Sequence, residues 1–237
     1  MSSIESKLAS FSACDVSDGL LNKYNDASGG FLPNLKRWSG PDNEIVVGRA
    51  YTVLFAPVDD PRPEINYIDE VPKGSVVVIA LTVPLQLETA PYTRVSQAMY
   101  GGLMSRRAQY QKCRGTVVFG RIRDVDEQRE LNYSVYSYGL GTCAGKLAVK
   151  PVEVQVPLQI LEFESKIQNI HPGDYILGDN NGVVRIPTES VDLSDLIYYV
   201  QKSIEADKLV AQDVAAGKPL KSSQRERRAV LKPLCKS

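Results

Sequence analysis

Two stretches of the chain are apolar at nearly every position, whereas the others alternate or recur at helical spacing. The dense stretches, Ser75–Leu81 and Gly115–Phe119, read as strands buried on both faces, the second closed by Gly120. Val46–Phe55 is β-branched and aromatic and predicts another strand, broken by Asp59-Asp60-Pro61-Arg62-Pro63. Val135–Tyr138 and the alternating Ala148–Val156 are further strands. Tyr175–Leu177 and Val183–Ile186 flank an Asn181-Gly182 turn and predict a hairpin. Helical spacing covers Ile4–Phe11, Ser17–Tyr24 (with Ser17 or Asp18 as cap), Met99–Cys113, Asp124–Leu131 and Ser194–Val214. A shorter helix runs from Tyr67 to Val71. Gly29-Gly30 and Pro33 mark a loop.

Strands and helices alternate only in mid-chain, and hairpin-like segments follow. This pattern predicts an α/β fold with mixed sheets rather than a regular doubly wound one. With no internal repeat or low-complexity linker, residues 1–237 are expected to form one domain. A polar C-terminal tail begins near 218.

Composition narrows the function classes. Lys+Arg and Asp+Glu both total 28, so no global field favours nucleic acid or an anionic membrane. The basic Arg225-Glu-Arg-Arg228 segment is a weak footprint for phosphate and reads as a solvated helix end or a subunit contact. No apolar run is long enough to span a bilayer, and the first residues do not resemble a secretory signal. Cys14, Cys113, Cys143 and Cys235 are widely spaced and read as free core thiols rather than disulfides or zinc ligands, which fits a cytoplasmic location. His171, the single histidine, sits in a His-Pro-Gly-Asp turn, which leaves little scope for histidine-based metal or nucleophile chemistry. Gly139-Leu-Gly-Thr-Cys-Ala144 matches a loose dinucleotide fingerprint, but a strand-like, proline-containing segment follows where a helix is required.

Two segments carry candidate chemistry. In Tyr100-Gly-Gly-Leu-Met104, paired glycines where a helix begins leave backbone N–H groups open to a carboxylate or phosphate, though a tight packing turn would use the same residues. Gly120-Arg-Ile-Arg-Asp-Val-Asp-Glu127 follows a buried strand, where α/β folds place ligands. Asp124-x-x-Glu127 also has the spacing of a capping box, in which the aspartate would only cap the next helix.

These segments, with Arg114–Glu127 as a whole, closely resemble the RraA-like family. That family includes class II 4-hydroxy-4-methyl-2-oxoglutarate aldolases and the regulator of ribonuclease E activity A. Ser17-Asp18-Gly19, Val47–Val53, Pro172-Gly-Asp-Tyr175 and Asp179–Gly182 extend the resemblance over roughly Ile4 to Gly217. It implies a swivelling β/β/α domain assembled as a homotrimer or hexamer with sites between subunits. It further implies a divalent-metal-dependent lyase that cleaves a C–C bond of a 2-keto acid to give pyruvate, by aldol cleavage or oxaloacetate decarboxylation. The position of Asp124 would ligate Mg2+, or another divalent cation such as Mn2+. Arg123 would bind substrate, and the backbone of Gly101, Gly102, Leu103 and Met104 would hold its carboxylate. Glu205 is the match for a glutamate contributed by a neighbouring subunit.

One departure stands out. The aldolase signature places an aspartate twenty-one residues before the arginine, and this chain has Gly102 there. On that basis decarboxylation is expected to survive better than aldol cleavage, and Gly102→Asp to improve the latter. The alternative implied by the same family is a non-catalytic regulator that binds a protein partner. An enzyme acting on an unrelated 2-keto acid fits the sequence equally well.

Overall fold

A computed structural model describes residues 3–235. The chain opens with α1 (Ser3–Leu8) and α2 (Ala13–Tyr24), followed by β1 (Phe31–Leu32), β2 (Lys36–Ser39) and β3 (Val46–Pro57). Next come β4 (Val76–Leu81), β5 (Ala98–Tyr100), α3 (Gly102–Tyr110), β6 (Gly115–Ile122), α4 (Val125–Glu130) and β7 (Val135–Leu140). The remainder is β8 (Val149–Val154), β9 (Leu158–Leu161), β10 (Ile167–Ile170), β11 (Tyr175–Gly178), β12 (Val183–Ile186), α5 (Leu193–Ala215) and α6 (Leu220–Arg227). Single 3-10 turns at Ile68–Glu70 and Gly145–Leu147 matter for the site, and a longer one, Arg228–Leu234, ends the fold.

One mixed sheet runs β1-β12-β11-β3-β4-β6-β7-β2, with β5 beside β6 and β8 beside β3. Strands β3, β4, β6 and β7 are mutually parallel, and β11 and β8 pair antiparallel to opposite ends of β3. β4 is buried at all six positions, as its unbroken apolar run predicts. Val77, Ile79 and Leu81 face one core with Tyr51, Phe55 and Val118, while Val76, Val78 and Ala80 face another with Phe119, Leu158 and Ile160. A third core lies where α2 and α5 cover β11 and β12. A side chain at Gly19 would press against Val200 and Leu196, 2.7 and 2.9 Å from its Cβ, so glycine there lets α2 approach α5.

Several boundaries differ from the sequence expectation. α2 starts four residues earlier than its predicted cap, because Ser12 and Asp15 form a reciprocal cap (3.1 and 3.0 Å) that leaves Ser17 and Asp18 inside the helix. Met99 belongs to strand β5, and α3 begins only after Gly101, since Ala98–Tyr100 pairs with the end of β6. The unassigned residues 157–170 form the β9–β10 hairpin; β1 falls inside the predicted Gly29–Pro33 loop, and β2 follows it. The tail is helical and docked: Asp213 on α5 accepts from Ser223, Arg227 and Lys218, and Asp207 pairs with Arg228. His171 serves its turn through its backbone, as expected, with its N–H on Asp174 at 2.9 Å. All four cysteines are free, but only Cys113 is a core thiol; Cys14 and Cys143 are exposed, because the first turn of α2 and the loop after β7 leave them at the surface.

Candidate functional site

The site forms where β5 and β6 end side by side. Tyr100 is buried beneath it, its hydroxyl within 3.0 Å of Thr116 Oγ1, which also lies 3.0 Å from the Tyr133 hydroxyl. Burial pushes the Tyr100 and Tyr133 hydroxyls above the usual phenol range, so this network stays protonated and neutral. The anchored Tyr100 offers its carbonyl to the Arg123 N–H at 3.0 Å, which fixes the turn leaving β6. From the other side Gln128, fully buried on α4, donates Nε2 to the Arg123 carbonyl at 3.1 Å.

Held in this way, the chain reverses at Asp124 in a left-handed conformation, φ 60° and ψ 41°. Asparagine and aspartate tolerate this region better than other side chains. The consequence corrects one of the two sequence alternatives: Asp124 occupies the N-cap position, but its carboxylate does not cap α4. It turns instead to the start of α3 and accepts the Gly102 N–H at 3.1 Å through Oδ2. The same oxygen lies 3.4 Å from Arg123 Nε, while Oδ1 has no hydrogen-bond partner among the described residues. Both side chains remain partly exposed, 40% for Arg123 and 33% for Asp124.

Gly101, the N-cap of α3, is extended, with no side chain to satisfy the first N–H groups of the helix. Gly102 gives its N–H to Asp124, which leaves those of Leu103 and Met104 open among the described residues. Of the four backbone donors expected in this loop, that of Gly102 is thus engaged by Asp124, and those of Leu103 and Met104 lie at the positive end of the helix dipole. A Cβ at Gly101 would sit 2.6 Å from Asp124 Oδ2, so glycine keeps the carboxylate against the helix start.

Arg123, Asp124, Gly101, Leu103 and Met104 all line one cleft of about 760 Å³. That size falls within the range of small-molecule sites. Gly102 and Glu205 do not line it. Glu205 lies on α5 and pairs with Lys202 at 2.7 Å. Phe55, Tyr67, Met99, Val149 and Pro151 give the cleft an apolar wall. Among the contributors that sequence reasoning missed are Tyr67, Asp69 and Lys146. The first two lie at the short turn Ile68–Glu70, where Arg107 of α3 anchors Asp69 at 2.5 Å. Tyr67 is buried, its hydroxyl has no partner among the described residues, and burial holds its pKa well above the ordinary phenol value. Lys146 follows the Gly139–Ala144 stretch, and here a 3-10 turn and β8 come next rather than a phosphate-binding helix. No local motif announces these residues; the signal is only that prolines and glycines bound both segments.

The donor set suits a hard divalent ion: a carboxylate with one free oxygen, in a partly exposed position facing a cleft. Among the described residues no three His, Cys, Asp or Glu side chains gather as a metal-holding group. An ion here would be held by Asp124 and completed by water, an arrangement magnesium favours. No helix of the described residues is long and apolar enough to cross a membrane.

Comparison with known proteins agrees with this architecture. The chain is 32% identical over 195 residues to protein DlpA of Legionella pneumophila, covering 80% of this chain but only 28% of that protein. It thus spans little more than a quarter of that relative's length. Over 91 residues it is 33% identical to a 4-hydroxy-4-methyl-2-oxoglutarate aldolase of Thermus thermophilus, covering 38% of this chain and 51% of the other. The crystal structure of an uncharacterized protein from Pseudomonas syringae pv. tomato superposes with a TM-score of 0.73 at 24% identity, covering 94% and 98% of the two chains. The family described as RraA-like, aldolase/RraA, matches residues 13–185, nearly three quarters of the sequence, and the chain belongs to that family.

Proposed function

We propose that the protein is a divalent-metal-dependent carbon–carbon lyase that cleaves a 2-keto acid to give pyruvate. The observation that carries this reading is the Asp124 carboxylate. It is swung away from its own helix, set against the start of α3 and left with one free oxygen at the cleft. The partial relative named as an aldolase supports the same class.

Asp124 would hold the ion, with water completing its shell. When bound, the metal would supply Lewis-acid polarisation of the keto and carboxylate oxygens. The chain's own residues do the rest. The open N–H groups of Leu103 and Met104 bind the substrate carboxylate at the positive end of α3. Arg123, held at its carbonyl by Gln128, directs its guanidinium to the oxygen on which enolate charge develops. The apolar wall limits water on one side of the substrate. Oxaloacetate decarboxylation needs only this electron sink, whereas aldol cleavage also needs an acceptor for the hydroxyl proton.

Assembly into a trimer or hexamer, with Glu205 reaching a neighbour's site, belongs to the same reading. It is supported by apolar side chains exposed near the cleft, Leu103 at 77% and Leu147 at 84%. Four free thiols support a reducing, cytoplasmic setting. The deciding experiment measures pyruvate release from oxaloacetate, with and without magnesium, for wild type and Asp124→Ala. Metal-dependent release abolished by the substitution is expected. Release no faster than magnesium alone in buffer would instead favour a non-catalytic regulator.

A further inference from the structure

The two ends of the cleft differ in chemistry. At one end stand Arg123, Asp124 and the open N–H groups of α3. The other end is apolar and built from β3, β8 and the segment that leads to the turn at Ile68–Glu70. Phe55 on β3 pairs across the sheet with Pro151 on β8, and Val149 lies two residues earlier on the same face of that strand. Ile65 is fastened beside them by its N–H, which donates to the Pro151 carbonyl at 3.0 Å. The Tyr67 ring stands T-shaped against Phe55, with centroids 5.8 Å apart and planes at 72°. Phe55, Tyr67 and Val149 are buried members of one core, so this wall has little freedom to rearrange around a polar group.

Charge points the same way. Besides Arg123 and Asp124, the charged side chains lining the cleft are Glu64, Asp69 and Lys146. Asp69 is held by Arg107, while Glu64 and Lys146 offset one another. No net positive charge is left over for a second carboxylate on the substrate. Setting one against the apolar wall would also strip its water without a partner, which is costly. An uncharged ring meets neither obstacle and can stack on, or stand edge-on to, Phe55 and Tyr67. An apolar cavity of about 150 Å³ is enough for benzene. The cleft of about 760 Å³ therefore has room for a ring together with a pyruvyl group.

We propose that the fragment released with pyruvate is an uncharged aromatic aldehyde or ketone rather than one carrying a second carboxylate, and that Phe55, Ile65, Tyr67, Val149 and Pro151 select it. This substrate class rests on the lyase reading above. In a 4-hydroxy-4-aryl-2-oxo acid the C3–C4 bond breaks and its electron pair passes to the enolate of pyruvate. The hydroxyl oxygen becomes the carbonyl of the released fragment, and its proton leaves to water at the mouth of the cleft. The enolate then takes a proton from solvent at C3, so no further reactant is consumed.

The test uses the full chain with magnesium and three probes that lack the hydroxyl and so cannot undergo aldol cleavage: pyruvate, 2-oxoglutarate and 2-oxo-4-phenylbutanoate. Titration calorimetry should find the phenyl probe bound roughly 10–100-fold more tightly than pyruvate, the gain from burying one aromatic side chain. 2-Oxoglutarate should bind no more tightly than pyruvate, and Asp124→Ala should lose all three. Ile65→Lys, at a half-buried position, should reverse the order of the phenyl probe and 2-oxoglutarate, with a thermal melt to report folding. A wild type that prefers 2-oxoglutarate, or gains nothing from the phenyl group, would overturn the aromatic selection. If Asp124→Ala still abolished binding, the lyase reading would stand. Binding unchanged in Asp124→Ala, or no binding of any probe by wild type, would overturn both. If Ile65→Lys does not fold, the wild-type ranking of the three probes still decides the matter.

Discussion

Asp124 and Asp213 each sit beside arginine, and the two arrangements differ in how fully the carboxylate is used. Asp213 is 9% exposed and accepts from Ser223, Lys218 and both Nε and Nη2 of Arg227, all within 2.9 Å. Those partners hold its pKa well below the usual carboxylate range. Asp124 accepts one backbone N–H, meets Arg123 at 3.4 Å and keeps an oxygen free. A saturated carboxylate fastens a tail to the body of the protein; an unsaturated one facing a cleft has capacity left for a ligand.

Substitutions should separate the two roles. Asp124→Asn keeps a residue suited to the left-handed turn, so folding should be retained while metal-dependent pyruvate release falls by at least about 10²–10³-fold, the cost of losing one electrostatic group. A thermal melt run beside the assay checks both halves. Gly101→Ala should come next. Its methyl would meet Asp124 Oδ2 at 2.6 Å and Arg123 Cγ at 3.2 Å, and these are side-chain atoms that can move without refolding the chain. Displacement by about an ångström should cost roughly 10²-fold in turnover with little change in melting temperature.

Gln128→Leu acts one step further back, by removing the donor to the Arg123 carbonyl. Leaving that acceptor unpaired should cost about 1–3 kcal/mol in denaturant unfolding, with a smaller loss of turnover. The smallest effect should be a pH effect at Asp213. Because its folded pKa is lowered, its contribution to docking is complete above the ordinary aspartate value near 4 and lost only as pH falls through the lowered one. Proteolysis of the tail should therefore be unchanged down to about pH 4 and accelerate only below it. In Asp213→Asn it should already be faster at neutral pH. Tail release in that variant with normal turnover would sharpen the contrast, whereas lost turnover would break it.

Most strands were legible because burial on two faces leaves an unbroken apolar run, as in Val76–Leu81, and a hairpin leaves an Asn-Gly turn. The helix boundary at Gly101 was not legible, because Met99 and Tyr100 are apolar in either structure and only pairing with β6 makes them a strand. Arg123, Asp124 and Gly101 could be singled out as neighbours of one cleft from their motifs, since short-range spacing sets that turn. The caps could not be separated on paper: Asp124-x-x-Glu127 carries the pattern of a reciprocal cap, yet long-range contact with α3 redirects the aspartate. Tyr67 and Lys146 reach the cleft through the sheet order, which a single sequence does not display.

The left-handed backbone at Asp124 also constrains what the lineage can become. Position 124 is comfortable chiefly for aspartate, asparagine and glycine. Drift within that set can remove the carboxylate in a single step while the turn, the sheet and the docking of α4 survive. A scaffold of this kind can thus lose the carboxylate without passing through an unstable intermediate, and the folded products are free to be selected for their surfaces.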